Sequence, residues 1–165
     1  MALSRLRPIW PVLMFFASGA MLAAAHFYFQ GYLQLTPCAL CLQQREWHWG
    51  VLAVSALAFA VTRFRPAWLG WAIVIIGLVL LGSAAMGAYH VAVEQKWVVA
   101  QCDIGGAIDP SQLSLDNLGD NLRPPRCDEI AWSWLGISMA GYNAIISLLL
   151  ALASFAAALA PERKS

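Results

Sequence analysis

The chain has 165 residues and a formal net charge of +1; 61% of its residues are hydrophobic and only 12% are charged. Ordinary soluble domains carry about 25% charged residues, so this composition excludes such a domain and indicates an integral membrane protein. A net charge so close to zero gives no reason to expect nucleic acid as a partner.

Four apolar segments are long enough to cross a bilayer, which needs roughly 20 residues for each helix. They are predicted at residues 9–28, 37–61, 68–93 and 137–159. The alternating pattern of a membrane β-barrel is absent from the sequence, so helices are the spanning option. The predicted fold class is therefore an all-α integral membrane protein: one domain over residues 1–165, a four-transmembrane-helix bundle with a long polar loop at 94–136.

The first segment has an alternative interpretation as a cleaved signal peptide. Small residues lie near its end, at 21–25. The apolar region of a signal peptide is about 7–15 residues long, which is shorter than this segment, and the polar loop that follows is very short. Both features favour an uncleaved span.

The second segment opens with a C-x-x-C pair at the point where a membrane helix meets water. Thr36 and Pro37 predict the helix start, with Thr as the N-cap and Pro at the first helical position. Cys38 and Cys41 then lie in the first turn, where the helix dipole lowers a thiol pKa. Arg45 is four residues after Cys41, so it shares that helix face and adds a fixed cation. A thiolate at Cys41 beside Arg45 is predicted; the alternative for Arg45 is an interaction with lipid phosphates.

Three histidines lie near the same membrane level as this pair. His90 is near the outer end of the third segment, where its ring can bind a ligand oxygen, pass a proton or simply face the interface. His26 and His48 are weaker candidates. Trp132 and Trp134 lie at a span end and are predicted to be interface anchors.

The other two cysteines, Cys102 and Cys127, lie 25 residues apart in the polar loop. A disulfide between them would be either a structural staple or an exchangeable bridge. Structural zinc sites prefer two closely spaced cysteine pairs, which this loop lacks, so no metal is predicted. Residues 111–118 are consistent with either a short surface helix or a solvated loop.

The basic residues set the orientation, because they concentrate on the cytoplasmic side of membrane proteins. In a four-span arrangement, one side carries Arg5, Arg7, Arg63, Arg65, Arg163 and Lys164. Both termini are therefore predicted to be cytoplasmic and all four cysteines to face the opposite side. In a bacterium that side is the periplasm, where disulfides persist.

The resemblance to a known family is carried by four features: the Pro37-Cys38-Ala39-Leu40-Cys41 run with Arg45, the four spans, the loop pair Cys102 and Cys127, and Trp134-Leu135-Gly136 leading into the last span. Over essentially its whole chain the protein resembles the disulfide bond formation protein B (DsbB) family. The resemblance implies a quinone-dependent protein-disulfide oxidoreductase of the bacterial inner membrane. The implied partners are a periplasmic DsbA-like protein with a thioredoxin fold, a membrane quinone (ubiquinone or menaquinone) and the lipid bilayer.

The resemblance also implies a role for each site residue. Reduced DsbA attacks the loop disulfide at Cys102, and the released Cys127 reaches Cys38. Cys41 is left as a thiolate beside Arg45 and passes its electrons to the quinone. The family's histidine near the outer end of the third span corresponds to His90, which would contact the quinone.

Two other interpretations are open to the sequence. One is a four-span scaffold with two structural disulfides. The other is a relative of the vitamin K epoxide reductases, which also pair a membrane C-x-x-C with loop cysteines. In that class the C-x-x-C is expected late in the chain, whereas here it opens the second span.

Overall fold

The computed structural model describes residues 2–99 and 126–161. Within these ranges the five α-helices are α1 (Ala2–Leu6), α2 (Trp10–Ala23), α3 (Ala39–Phe64), α4 (Leu69–Glu94) and α5 (Met139–Leu159). A π-helix, Ala24–Tyr32, continues α2, and 3₁₀ turns occupy Arg7–Ile9 and Pro66–Trp68. Two short strands complete the elements, β1 (Ser133–Trp134) and β2 (Ile137–Ser138). Cys102 and the segment 111–118 lie outside the described residues.

Four helical segments of the described part are long and apolar enough to cross a membrane: Leu3–Tyr32, Ala39–Phe64, Pro66–Glu94 and Met139–Leu159. The first begins six residues before the predicted residue 9, because Pro8 and Pro11 each stand near the start of a helical segment, where a missing N–H costs little. The prediction of an all-α, four-helix membrane bundle is confirmed.

The helices pack in chain order, with the most extensive contact between α4 and α5. Small residues allow this close approach, as is usual in lipid. A Cβ added at Gly87 of α4 would lie 2.9 Å from the backbone nitrogen of Ala144 on α5, and one at Gly77 would lie 2.8 Å from the ring of Phe155. Gly87 precedes His90 by one turn, so this contact also fixes the height of the His90 ring.

A buried chain of hydrogen bonds connects all four spans near the middle of the bundle. His48 of α3 donates from Nε2 to Asn143 Oδ1 of α5 at 2.8 Å, and Ser18 of α2 bonds His48 Nδ1 at 3.3 Å. Ser147 donates to the same Asn143 oxygen at 3.4 Å, and Ser83 of α4 lies 3.1 Å from the Ser147 hydroxyl. All five side chains are buried, where unpaired polar groups would be costly.

A small hairpin precedes α5 and covers one end of the bundle. Strands β1 and β2 pair antiparallel, joined by Leu135 and Gly136 at φ +50° and +78°. Two consecutive positive φ angles are typical of the tight turns that suit hairpin twist. Ser138 then caps α5 by accepting from the Gly141 N–H at 3.1 Å. The hairpin thus fixes where the last span begins.

Two bonds hold the opposite end of the bundle. Arg7 donates to the carbonyl of Ala160 at 3.0 Å, and Trp10 donates to Ser154 Oγ at 3.0 Å. The two ends of the described chain therefore lie at the same end of the bundle, as an even number of spans requires.

Candidate redox site

Cys38 is the N-cap of α3. Its backbone is extended (φ −76°, ψ 168°), and its sulfur accepts a hydrogen bond from the Cys41 N–H at 3.2 Å. The prediction that Thr36 caps this helix is wrong: the extended conformation at Cys38 starts the helix two residues later. Because Cys38 is the N-cap, its sulfur lies directly against the exposed N–H groups of the helix terminus.

No disulfide joins Cys38 and Cys41 in the structure, and their sulfurs lie 2.6 Å apart. Cys38 is buried and Cys41 is half-buried. The ring of His90 reaches the pair from α4, with Nε2 3.7 Å from Cys38 Sγ. The predicted site residues Cys38, Cys41 and His90 are therefore brought together by two different spans.

Two further side chains orient His90. The amide of Gln44 donates to His90 Nδ1 at 2.6 Å, so the ring hydrogen is on Nε2, which faces the thiols. Glu94, one turn further along α4, has Oε1 4.0 Å from that same Nε2, and its side chain is only 5% exposed. Glu94 Oε2 has no hydrogen-bond partner within the described residues.

Arg45 is anchored to the first span. Its guanidinium donates to Gln30 Oε1 at 2.7 Å and to the Ala25 carbonyl at 3.3 Å. Both partners belong to the π-helix, a form that often occurs at functional sites. Arg45 and Cys41 line the same cavity, so the predicted cation stands in the wall that contains the thiol.

A cavity of about 340 Å³ lies between the spans beside Cys41. Its size falls in the range of small-molecule sites, roughly 300–1,000 Å³. Apolar and aromatic side chains form most of its wall, and Trp132 packs against Phe29 and Tyr142 with ring centroids 5.1 and 6.1 Å apart. The polar lining consists of Gln44, Arg45, His48, His90 and Asn143. An apolar pocket with a few converging polar groups is the usual form of a ligand site.

A narrower cleft of about 40 Å³ also adjoins the thiol pair. Cys38 lines this cleft but not the larger cavity, whereas Cys41 lines both. Glu94, Arg126 and Glu129 also line the cleft. The pair therefore lies between an apolar cavity and a more polar cleft; Cys41 borders both spaces and Cys38 only the cleft.

Cys127 lies close to this arrangement. It is disulfide-bonded, 2% exposed, and belongs to one buried cluster with Cys38, Leu40 and Val93. The predicted site residue Cys102 lies outside the described residues. The structure thus places one loop cysteine in a cluster with Cys38, against which Cys41 also packs, and Cys127 does not line the large cavity.

The surroundings of Cys38 favour its anion. A hydrogen bond from the Cys41 side chain lowers the pKa of Cys38, burial opposes that effect, and a hydrogen bond from His90 lowers the pKa further. The sequence predicted the thiolate at Cys41. In this fully reduced pair Cys38 is acidic, and an anion at Cys41 is expected only once the Cys38 sulfur is bonded to another cysteine.

Several site residues were not found by sequence reasoning. Gln44, Glu94 and Asn143 are polar residues within or at the end of apolar spans, and intramembrane polar residues often mark functional sites. Trp132 and Trp134 were predicted to be interface anchors, but both line the cavity. Their distance in sequence from the C-x-x-C pair concealed this role.

Of the two weaker histidine candidates, one contributes to the site. His48 lines the cavity and belongs to the buried chain of hydrogen bonds. His26 bonds Gln30 at 3.2 Å, so it contacts the side chain that holds Arg45.

The chain matches the family of the disulfide bond formation protein DsbB over residues 7–157. It is 33% identical to disulfide bond formation protein B of Marinobacter nauticus over 159 residues, covering 87% of each chain. It is 31% identical to the protein of that name from Histophilus somni over 151 residues, covering 87% of this chain and 81% of the relative. The corresponding protein of Methylococcus capsulatus is 30% identical over 149 residues, covering 81% and 82%.

No solved structure matches the chain significantly. The family match covers nearly all of the four spans and the C-x-x-C pair, and the described residues include four helices long and apolar enough to cross a membrane, with Cys41 at a cavity. The chain therefore belongs to the DsbB family and is a multi-pass membrane disulfide oxidoreductase.

Proposed function

We propose that this protein is a quinone-dependent thiol oxidase of the bacterial inner membrane that reoxidises a periplasmic DsbA-like protein. The observation that carries the proposal is the position of Cys41, which lines both the apolar cavity and the polar cleft. A thiol pair in this position connects a water-facing disulfide partner with a lipid-soluble acceptor. A scaffold with structural disulfides would have no use for such a cavity.

The cavity residues fit a quinone ring. The aromatic and apolar walls of the cavity suit a flat, apolar ring. The fixed charge of Arg45 suits a quinone oxygen that gains negative charge during reduction. Asn143 lines the cavity, and its Nδ2 has no hydrogen-bond partner among the described residues, which makes it a donor for a carbonyl oxygen. When bound there, a quinone supplies the two-electron acceptor. His90 also lines this cavity, with the ring hydrogen on the nitrogen that faces the thiols.

The chain's own cysteines carry the preceding steps by thiol–disulfide exchange. A thiolate of the reduced DsbA-like protein attacks Cys102 of a Cys102–Cys127 disulfide, forms a mixed disulfide and releases Cys127. The Cys127 thiolate then attacks Cys38 of the oxidised Cys38–Cys41 pair, and Cys41 leaves as the thiolate. Each exchange breaks one S–S bond and forms another, so the electron pair arrives at the sulfur that borders the cavity.

In the proposed orientation both termini are cytoplasmic and the cysteines are periplasmic. The concentration of basic residues at the chain ends and in the Arg63–Arg65 turn supports this orientation. The contact between Arg7 and Ala160 agrees with it, since the two chain ends share one end of the bundle. Cysteine accessibility in intact spheroplasts tests the orientation directly.

The test of function uses the purified protein in detergent with a reduced DsbA-like protein. We expect substrate oxidation that depends on added ubiquinone or menaquinone and that stops in Cys41→Ser. Thiol trapping without quinone should show Cys38 and Cys41 becoming reduced as substrate is added. If these cysteines stay oxidised with or without quinone, the scaffold interpretation replaces this proposal.

A further inference from the structure

We propose that the reduced Cys38–Cys41 pair and His90 form a Zn²⁺ site that only the reduced protein presents. The two Sγ atoms and His90 Nε2 all lie within 4.8 Å of one another. Cysteine thiolates and imidazole are the preferred ligands of zinc. The spacing of the four cysteines gave no indication of this site, because the third ligand comes from α4.

The distances suit zinc after a small adjustment. With Zn–S bonds of about 2.3 Å and a Zn–N bond of about 2.0 Å, tetrahedral geometry separates two sulfurs by about 3.8 Å and a sulfur from the nitrogen by about 3.5 Å. The distance from Cys38 Sγ to His90 Nε2 is already 3.7 Å. The sulfurs, now 2.6 Å apart, must separate by about 1 Å, which a rotation of the half-buried Cys41 side chain provides.

A fourth ligand is within reach. Glu94 lies in the same cleft, with its side chain 5% exposed and Oε1 4.0 Å from His90 Nε2. Its second oxygen has no hydrogen-bond partner in the part of the chain that the structure describes. A buried carboxylate oxygen without a partner calls for an explanation such as an ion, and carboxylates ligate zinc at about 2.0–2.2 Å.

The outer surroundings also resemble those of a zinc site. Zinc on His90 Nε2 needs the ring hydrogen on Nδ1, which lies 2.6 Å from the Gln44 amide nitrogen. Turning the Gln44 amide over presents its oxygen as the acceptor of that N–H, the kind of partner that orients a metal-bound histidine. Two thiolates and Glu94 carry three negative charges, opposed by the nearby cation of Arg45. Arg126 at the cleft is already paired with Asp128 at 2.9 Å.

Zinc binding here is an exchange of protons for metal. The two thiols release their protons and form two Zn–S bonds, and the ring hydrogen of His90 is carried on Nδ1 so that Nε2 can bind the metal. No electrons move, so the sulfurs stay reduced. A disulfide offers no thiolate, so the oxidised pair cannot bind the ion in this way. Zinc would therefore hold the pair in its reduced state, and oxidation would release the metal.

The site is tested on full-length, quinone-free, reduced protein with Cys102 and Cys127 both replaced by Ser, so that the other thiols do not contribute. Zn²⁺ is competed against a chromophoric chelator, and Co²⁺ is used as a spectroscopic probe. We expect one Zn²⁺ per chain and thiolate-to-cobalt absorption typical of a tetrahedral site. Neither readout needs quinone or a DsbA-like partner, so failure here is distinct from failure of the proposed oxidase.

The variants identify the ligands. Cys41→Ser should weaken Zn²⁺ binding by at least about 100-fold and His90→Gln by about 10–100-fold, with Glu94→Gln weaker by about tenfold. Glu129→Gln, an exposed acid of the same cleft, is the matched control and should bind like the parent. Equal affinity in His90→Gln and the parent would overturn the proposal, as would a stoichiometry well below one in protein whose two thiols titrate as reduced.

Discussion

His90 Nε2 lies 3.7 Å from Cys38 Sγ, and the two residues come from different membrane spans. The contact couples the acidity of the helix-capping thiol to the packing of α4. It accounts for part of the lowered pKa of Cys38, together with the hydrogen bond from Cys41. The first prediction follows from this pair.

Replacing His90 with Gln should raise the pKa of Cys38, because one hydrogen bond that favours the thiolate is weakened. The measurement is the pH dependence of iodoacetamide alkylation at Cys38 in the reduced protein, read by mass spectrometry. The alkylation rate below pH 7 should fall several-fold. His26→Gln is the control and should keep the parent profile; an identical profile in both variants would contradict a role for His90.

The same pKa shift affects stability with a defined sign. The folded-state pKa of Cys38 is below the unfolded value of about 8.5, so ionisation stabilises the reduced fold fully above that pH. This stabilisation is lost as the pH falls through the folded-state value. The melting temperature of reduced protein should therefore decrease towards acidic pH more in the parent than in Cys38→Ser, which has no thiol at this position.

Neutralising Arg45 should slow quinone-dependent turnover without unfolding the protein. The Arg45→Gln variant removes the fixed cation from the cavity wall, and we expect a rate at least about tenfold lower, equivalent to about 1.4 kcal/mol of lost transition-state stabilisation. Stopped-flow oxidation of the DsbA-like substrate measures it. Arg63→Gln, in the turn at the other end of the bundle, is the matched control. Unchanged turnover in Arg45→Gln would remove Arg45 from the mechanism.

Removing the side chain that anchors Arg45 should reduce turnover less than removing the charge of Arg45 itself. Gln30 accepts from the guanidinium at 2.7 Å, so Gln30→Leu leaves the charge present but loosely placed. An intermediate loss of turnover, smaller than that of Arg45→Gln, is expected in the same assay. Gln43→Leu alters an exposed glutamine of the neighbouring span and should have no effect. A loss equal to that of Arg45→Gln would mean that position, rather than charge, dominates.

Gly87 should tolerate no side chain. A Cβ there would meet the nitrogen, Cα and Cβ of Ala144 at 2.9–3.0 Å, which forces α4 and α5 apart. Gly87→Ala should cost about 1–3 kcal/mol, seen as a lower melting temperature in detergent. Gly50→Ala is the matched control, since its Cβ would meet Val79 at an ordinary 3.5 Å. A Gly87→Ala protein as stable as Gly50→Ala would refute this account of the contact.

Asn143 should contribute both to stability and to the cavity. Asn143→Leu removes the acceptor of His48 and leaves that buried donor unpaired, a cost of about 1–3 kcal/mol, whereas Ser147 keeps its bond with Ser83. Thermal unfolding measures that cost, and quinone affinity should fall as well. Ile145→Leu, on a more exposed face of the same helix, should behave like the parent. Unchanged stability in Asn143→Leu would show that the buried bonds contribute nothing net.

Much of the architecture follows from the sequence because membrane spans are limited by the thickness of the bilayer. The apolar runs predicted the four helices. The position of the C-x-x-C pair and Arg45 at the opening of the second run placed Cys38 and Cys41 at a helix start. The sequence misplaced the cap at Thr36, because Thr-Pro is a strong helix-start signal and the capping ability of a cysteine sulfur is weak on average. The extended backbone at Cys38 makes this residue the N-cap and starts the helix at the next residue.

The partners of His90 could not be read from sequence spacing. Gln44 lies 46 positions away on α3, and their contact depends on the rotation of two helices about their axes. Glu94 is four residues from His90 and shares its face, so helical spacing identifies it, although the predicted loop begins at that residue. The position of Trp132 in the cavity wall could not be predicted from the sequence, because it depends on the hairpin that places its ring over the bundle.

The buried bonds from Ser18 to His48, from His48 to Asn143 and from Ser83 to Ser147 have a mechanical consequence. If any span slid along its axis by one turn, about 5.4 Å, it would leave several polar atoms stranded in hydrocarbon. The buried hydrogen bonds therefore fix the axial register of the four spans. A fixed register of α3 and α4 also keeps the Cys38 sulfur level with the His90 ring.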